Sequence, residues 1–124
     1  VRVIETLDGV WAGYGRKMEP TWERRIYLAS SATVLDVLRE VDDAHDIIMV
    51  VGHCPAVEDL VFDLVPDDGS SPLRDEVEIK YPTAALAQLE IPIDHWADIG
   101  KPIAHLKRFV RPRDLDSSLG PDAE

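Results

Sequence analysis

The stretch Ile47–Pro55, with the sequence IIMVVGHCP, decides the predicted fold. Its first five residues are apolar and carry no polar alternation, which is typical of a strand covered by helices on both faces. Gly52 and His53 follow as a short turn, Pro55 suits the first position of a helix, and apolar side chains then recur at helical spacing. This order of strand, turn and helix predicts an α/β unit with a central parallel strand.

Toward the N-terminus, the pattern predicts a second helix and a weaker element before it. Ser30 or Ser31 can cap a helix that begins near Ala32 and carries one apolar stripe. The bulky run Trp22–Leu28 favours a short strand or an extended lead into that helix. Further upstream, apolar side chains in the range Val3–Trp11 follow helical spacing and predict a helix that is already under way at the first residue.

Toward the C-terminus, the chain alternates between polar loops and short apolar runs. Pro66–Pro72 has turn chemistry and predicts a surface loop. Ala84–Ile91 favours a strand, with a helix as the competing interpretation, and Ile103–Val110 alternates well enough for a final strand. From residue 114 onward the chain is acidic and bears Gly, Pro and Ser. We therefore expect a single domain over residues 1–113 and an acidic flexible tail over 114–124.

Composition narrows the class of protein and its partners. The 124 residues are 45% hydrophobic and 30% charged, with a net charge of −11, as expected for one acidic globular domain. The negative charge and the lack of a basic patch disfavour nucleic acid, and the apolar runs are too short to cross a membrane. The one cysteine, Cys54, permits no internal disulfide. The sequence therefore predicts a cytoplasmic protein with no nucleic-acid or membrane partner.

His53 is the strongest candidate for chemistry, because ligands of open α/β sheets bind at the carboxyl ends of the strands. Gly52 allows close backbone approach, and free amides at the start of the following helix would face an anion. These features favour phosphate, and an imidazole there can stabilise a phosphoryl group or move a proton. The alternative is a histidine that only closes the loop.

Other reactive arrangements are weaker. A nucleophilic Cys54 would need a separately placed base, and its neighbour His53 points in a different direction. A metal site built from His53, Cys54 and Asp59 together with His45 is disfavoured, because His45 lies at the opposite end of the predicted strand. The planar fork of arginine suits phosphate oxygens, but the pattern does not choose among the candidates. They are Arg2, Arg16, Arg24, Arg25, Arg39, Arg74, Arg108, Arg111 and Arg113.

The residues around His53 resemble a known family. Val50–Leu60, VVGHCPAVEDL, is similar to the "VGHNP…E-L" segment of the histidine phosphatase superfamily, in its small phosphohistidine phosphatase branch of the SixA type. Further similar segments follow in the same order along almost the whole chain: Ile26–Ser30, Tyr81–Leu86, Trp96 and Arg108–Leu115. The resemblance implies a phosphoglycerate mutase-like, three-layer α/β/α fold with a mostly parallel central sheet.

The same resemblance implies an activity and its site residues. The family hydrolyses phosphate esters or phosphoramidates through a phosphorylated histidine, without a metal or cofactor. His53 corresponds to its second histidine, which binds and stabilises the phosphoryl group. Arg2 opens a segment similar to the family's "R-x-x-x-T" helix and would bind phosphate, and the backbone around Thr83 would line the pocket. Two departures are Cys54 in place of asparagine and Ala84 where glycine is frequent.

The nucleophilic histidine of the family belongs to an Arg-His-Gly motif on the first strand, and these 124 residues contain no such motif. We therefore expect the domain to lack its N-terminal strand here, as a portion of a longer enzyme or as an inactive relative. The implied partners are a protein that carries phosphohistidine or a small phosphorylated metabolite, and phosphate or sulfate could occupy the pocket. The alternative is a noncatalytic module that binds a phospho-ligand or a protein.

Overall fold

Helices make up most of the regular structure, and one pair of strands lies beside them. The computed structural model describes residues 2–15, 20–27 and 29–118. The order of the elements is α1 (Arg2–Tyr14), a 3₁₀ turn (Arg24–Ile26), α2 (Ser31–Leu38), α3 (Ala56–Leu64), α4 (Pro72–Ile79), β1 (Leu86–Glu90), a 3₁₀ turn (Trp96–Asp98), β2 (His105–Val110) and α5 (Pro112–Leu115).

Local sequence explains where the helices begin. Ser30 precedes α2 in an extended conformation, as expected of a residue at a helix start. Before α4, the hydroxyl of Ser71 accepts a hydrogen bond from the Arg74 amide at 3.2 Å, and Pro72 takes the first helical position. The predicted helices α1, α2 and α3 are confirmed. The sequence does not predict a helix over the residues of α4, because its few apolar side chains lie between charged ones.

The strands β1 and β2 form an antiparallel pair, in which Leu86 lies opposite Val110 and Glu90 lies opposite His105. Both strands fall inside the two segments for which the sequence predicts strands near the C-terminus, so those two predictions are confirmed. One face of the pair packs against the core together with α4.

A bulge in β2 determines which of its side chains reach the core. The register shifts between Gln88 and Leu89, so that Lys107 has no residue directly opposite it. An extra residue of this kind rotates the side chains that follow it. Leu106 and Phe109 are therefore both buried although they are three positions apart, a spacing that a regular strand would place on opposite faces.

The core lies between the α2–α3 pair on one side and α4 with the strands on the other. Val77 of α4 is completely buried. The amide of Ala104 donates to the carbonyl of Leu64 at 2.8 Å, which ties the lead into β2 to the end of α3. The buried members of the core are Val34, Leu35, Leu38, Ala56, Val61, Leu64, Val65, Val77, Ile99, Ala104, Leu106 and Phe109.

The predicted fold class is wrong. In place of a three-layer α/β/α fold with a mostly parallel central sheet, residues 2–15, 20–27 and 29–118 contain a single two-stranded antiparallel sheet. The predicted central strand over 47–51 has no regular secondary structure, and its backbone forms no hydrogen bond with the backbone of another described residue. A strand needs such a neighbour to satisfy its amides and carbonyls.

The side chains of residues 47–51 show why this apolar run does not form a central strand. Ile48 and Val50 pack against the core, whereas Ile47 is 89% exposed and Met49 is 51% exposed. An uninterrupted apolar run predicts burial of both faces, but here only one face is covered. The strand predicted over Trp22–Leu28 is also wrong for its described part, which is irregular apart from the 3₁₀ turn at Arg24–Ile26, while Leu28 lies outside the described residues.

The ends of the chain fall partly outside the structural description. Asp114, where the predicted tail begins, lies in α5, and its carboxylate accepts a hydrogen bond from the Arg111 amide at 2.9 Å. Residues 119–124 lie outside the described part. None of the helices in the described ranges has the length and apolar character that a membrane crossing would require.

Candidate functional site

His53 forms one wall of a small cavity in front of α3. It follows the irregular segment over 47–52, and the chain then turns through Cys54 and Pro55 into the helix. The imidazole is half-buried, and the cavity has a volume of about 90 Å³. Two segments that are distant in sequence meet here and supply the lining residues: Ile26, Ala29, His53, Cys54, Pro55 and Ala56. The residue singled out from the sequence therefore lies in a concave site.

The Tyr27 ring packs beside the His53 imidazole at this site. Their ring centroids are 6.4 Å apart and the ring planes are inclined by 66°, a nearly perpendicular arrangement that aromatic pairs favour. The Tyr27 side chain is largely exposed. The sequence gives no signal for Tyr27, because the contact arises only when the segment before α2 folds against the turn before α3.

Two amides at the start of α3 are engaged within the chain. The amide of Val57 donates to the His53 carbonyl at 3.3 Å, and the amide of Asp59 donates to the Pro55 carbonyl at 2.8 Å. The first turn also carries the carboxylates of Glu58 and Asp59. The expectation that free amides at this helix start face an anion is therefore wrong for these two groups, and the imidazole of His53 becomes the main candidate for contact with a ligand.

Cys54 lines the cavity as a thiol. Burial raises its pKa most strongly, and the negative charges of Glu58 and Asp59 raise it further, against a smaller opposite effect of the Glu58 amide. A thiolate is the reactive form, so a raised pKa removes nucleophilic character. The interpretation of the sequence that disfavours a nucleophilic Cys54 stays a prediction.

Thr83 lies in an exposed turn and is not among the residues that line the cavity. The turn is held by its flanks, because the Tyr81 hydroxyl donates to the Ala85 carbonyl at 3.2 Å and the Tyr81 ring packs on Phe109 at 5.5 Å between centroids. Burial raises the pKa of Tyr81, and proximity to Cys54 adds to the effect.

The residue after Thr83 has a strained backbone, since Ala84 has a φ of 63°. This left-handed conformation costs a residue with a Cβ roughly 1–2 kcal/mol. We expect Ala84→Gly to raise the free energy of unfolding by about 0.5–1 kcal/mol, because the strain that it relieves exceeds the entropy that glycine adds to the unfolded chain. Thermal or urea denaturation measures the change. Ala97→Gly, at an exposed site in a 3₁₀ turn, is the control and should lower stability; a similar loss for both variants would contradict the explanation.

Arg2, the other predicted phosphate-binding residue, is the first residue of α1. Its side chain lies outside the described part of the structure. The structure therefore neither joins Arg2 to the His53 cavity nor separates it from that site, and its role stays a prediction.

The arginines whose side chains are described do not line the cavity. Several of them hold the fold together. Arg25 bonds Glu23 at 2.8 Å and Glu40 at 2.9 Å, and its guanidinium lowers the pKa of Glu23 to about 2. Arg74, a residue of α4, is buried. Among the lining residues of the cavity, His53 is accordingly the only side chain that can carry a positive charge.

A second cavity, of about 110 Å³, lies between two loops that the sequence analysis did not connect. Asp43 accepts hydrogen bonds from the Trp96 amide and the His95 ring, each at 2.9 Å, and the Trp96 indole donates to the His45 carbonyl at 2.7 Å. These contacts lower the pKa of Asp43, and Asp43 raises the pKa of His95. The lining residues are Asp43, His45, Asp46, Ile91, Ile93, Asp94, His95 and Trp96.

The acidic lining makes this second cavity unsuited to a phosphate group, because like charges repel. In the part of the chain that the structure describes, no group of three or more His, Cys, Asp or Glu side chains is arranged to hold a metal ion. The cavity at His53 is therefore the better candidate site for an anionic ligand.

Comparison with known proteins finds two relatives from Mycobacterium tuberculosis: the uncharacterized protein MT1313 of strain CDC 1551 / Oshkosh and the uncharacterized protein Rv1276c of strain ATCC 25618 / H37Rv. Each is 31% identical to this chain over 93 residues, which cover 74% of the chain. The chain spans 58% of the length of each relative. No family model matches the chain, and no solved structure matches it significantly.

Proposed function

We propose that the protein is a metal-independent phosphatase of the histidine phosphatase superfamily, which acts on phosphohistidine or a phosphomonoester. The observation that carries the proposal is the position of His53. The one histidine inside the family-like segment VVGHCPAVEDL is half-buried and lines a cavity at the start of a helix. The proposal rests on this local site and on the sequence resemblance, and not on the topology of the sheet.

The size and lining of the cavity suit a phosphoryl group. At about 90 Å³ it is far smaller than the roughly 300–1,000 Å³ of sites that hold drug-sized ligands. Ile26, Ala29 and Ala56 give it apolar walls. An imidazole that donates a hydrogen bond to a phosphoryl oxygen is more effective beside such walls than in bulk water, because less solvent screens the charge that develops.

His53 would bind and stabilise the phosphoryl group while the bond to the leaving atom breaks. The resemblance assigns the attack on phosphorus to a different histidine, in an Arg-His-Gly motif that these 124 residues do not contain. We therefore propose phosphoryl binding for this chain and hydrolysis for the complete gene product. Arg2 would add a contact to the phosphoryl oxygens, whereas Thr83 does not line the His53 cavity; no cofactor is needed.

The proposed substrates are a protein that carries phosphohistidine or a small phosphorylated metabolite. The proposed compartment is the cytoplasm, since Cys54 is a free and exposed thiol of the kind that a reducing environment maintains.

A noncatalytic module that binds a phospho-ligand or a protein is the alternative function. It requires only the binding histidine, His53, and not the nucleophilic histidine of the family. Both functions predict that the chain binds a phosphate-like anion at His53. Only the phosphatase function predicts hydrolysis of a phosphorylated substrate.

Titration of the 124-residue chain with phosphate and with orthovanadate tests the shared part of the proposal. We expect saturable changes in the NMR signals of the His53 imidazole, because this ring would donate to the anion. His105, an exposed histidine on β2, serves as the internal control and should not change. His53→Ala should weaken binding about tenfold or more, as for loss of a charge-assisted hydrogen bond. Unchanged His53 signals at saturating anion would contradict the proposal.

A further inference from the structure

We propose that Tyr27 is a positioning residue for His53. This inference rests on the proposed function and adds to it a residue that the sequence resemblance does not assign. The nearly perpendicular contact at 6.4 Å between the ring centroids would hold the imidazole in the orientation that meets a phosphoryl oxygen.

The backbone of Tyr27 is well placed to anchor such a contact. Its amide donates to the Arg24 carbonyl at 3.1 Å and thereby closes the 3₁₀ turn. The preceding residue, Ile26, packs against the core and lines the cavity. The Tyr27 ring is nevertheless 71% exposed, so packing of the ring into the core does not account for where it stands.

The orientation of the His53 imidazole depends on contacts with its side chain such as the one with Tyr27. Its carbonyl accepts a hydrogen bond from Val57, which fixes the backbone behind the ring. The segment over 47–52 contributes no backbone ladder within the described part of the chain. The Tyr27 ring lies 6.4 Å from the imidazole between centroids, close enough to restrict rotation of the His53 side chain.

Tyr27 would act on the ligand through His53 and not as a binding group itself. Tyr27 is not among the residues that line the cavity, whereas His53 is. Its effect on an anion would therefore pass through His53. A perpendicular ring pair needs the aromatic ring but not the phenol hydroxyl, so phenylalanine should replace tyrosine and an aliphatic residue should not.

The experiment compares Tyr27→Phe, Tyr27→Leu and the control Trp22→Leu in the 124-residue chain. Trp22 is another exposed aromatic residue before α2, and it makes no ring contact with His53 among the described residues. The first readout is the pair of His53 imidazole proton shifts without anion, which sense the neighbouring ring. The second is the dissociation constant for orthovanadate.

We expect Tyr27→Phe to retain both the His53 shifts and an affinity within about twofold of wild type. Tyr27→Leu should move the His53 shifts and weaken orthovanadate binding about three- to tenfold, the range given by the strength of an aromatic pair. Trp22→Leu should change neither. Rescue by phenylalanine would show that the ring itself positions His53.

The outcomes separate this inference from the proposed function. If wild type does not bind orthovanadate, the proposed function fails and the role of Tyr27 fails with it. If wild type binds but Tyr27→Leu leaves the His53 shifts and the affinity unchanged, the role of Tyr27 alone is overturned. Equal weakening by Tyr27→Phe and Tyr27→Leu would also overturn it, because the hydroxyl rather than the ring would then be responsible.

Discussion

Replacement of Arg74 by alanine is expected to lower the free energy of unfolding by about 2–3 kcal/mol. The side chain is only 9% exposed, and its Nε donates to the Val65 carbonyl at 3.0 Å. The guanidinium lies over the Phe62 ring at 5.0 Å and pairs with Glu78 and Asp67. Alanine would leave the buried Val65 carbonyl without its donor and would open space beside Phe62.

Urea denaturation of wild type and variants measures this loss. Arg39→Ala is the matched control, because the Arg39 Nε also donates to a buried residue's carbonyl, that of Ile99, at 2.9 Å. The Arg39 side chain is 39% exposed, so water can replace it, and we expect a loss below about 1 kcal/mol. A loss for Arg74→Ala no larger than that for Arg39→Ala would contradict the structural role of Arg74.

The sequence could not distinguish Arg74 from the other arginines. It was one of several candidates for phosphate binding, and it lies in a stretch with many acidic residues that predicts a solvated face. Its burial depends on the fold of the loop before α4, which brings the Val65 carbonyl within hydrogen-bond distance. This contact has no signature in composition or periodicity.

The helices were more predictable than the sheet. Helix α2 follows a serine and α3 follows a proline, and both helices carry an apolar stripe; these are local properties of the sequence. A strand depends on a partner that the sequence does not specify. The apolar run over 47–51 therefore predicted a central parallel strand, whereas the structure shows a segment without regular secondary structure, in which Ile47 and Met49 are exposed.

The candidate site was predictable in part. The turn after an apolar run drew attention to His53, and the structure places that residue in a cavity. The contribution of Ile26 and the neighbouring Tyr27 could not be predicted, because it requires the segment before α2 to fold against the turn before α3. In the sequence, Ala84 was notable only because the family often has glycine at this position. Its φ of 63° gives the physical reason why glycine would suit that position.

The proposal also predicts the largest effect of a single substitution on activity. In the complete gene product, His53→Ala should lower the turnover of a phosphohistidine peptide about 10²–10³-fold. The loss is expected because the imidazole would stabilise charge on the phosphoryl oxygens as the bond to the leaving nitrogen breaks. His105→Ala, which removes an exposed histidine from β2, should leave turnover unchanged and controls for the general effect of losing a histidine.

The comparison of these two variants is the most direct test of the central claim, that His53 binds a phosphoryl group during hydrolysis. Release of phosphate from a phosphohistidine peptide would be followed in the presence of a metal chelator. The account predicts hydrolysis by wild type and by His105→Ala, and a loss of about 10²–10³-fold in His53→Ala. Turnover of His53→Ala close to that of wild type, or no hydrolysis by wild type, would contradict it.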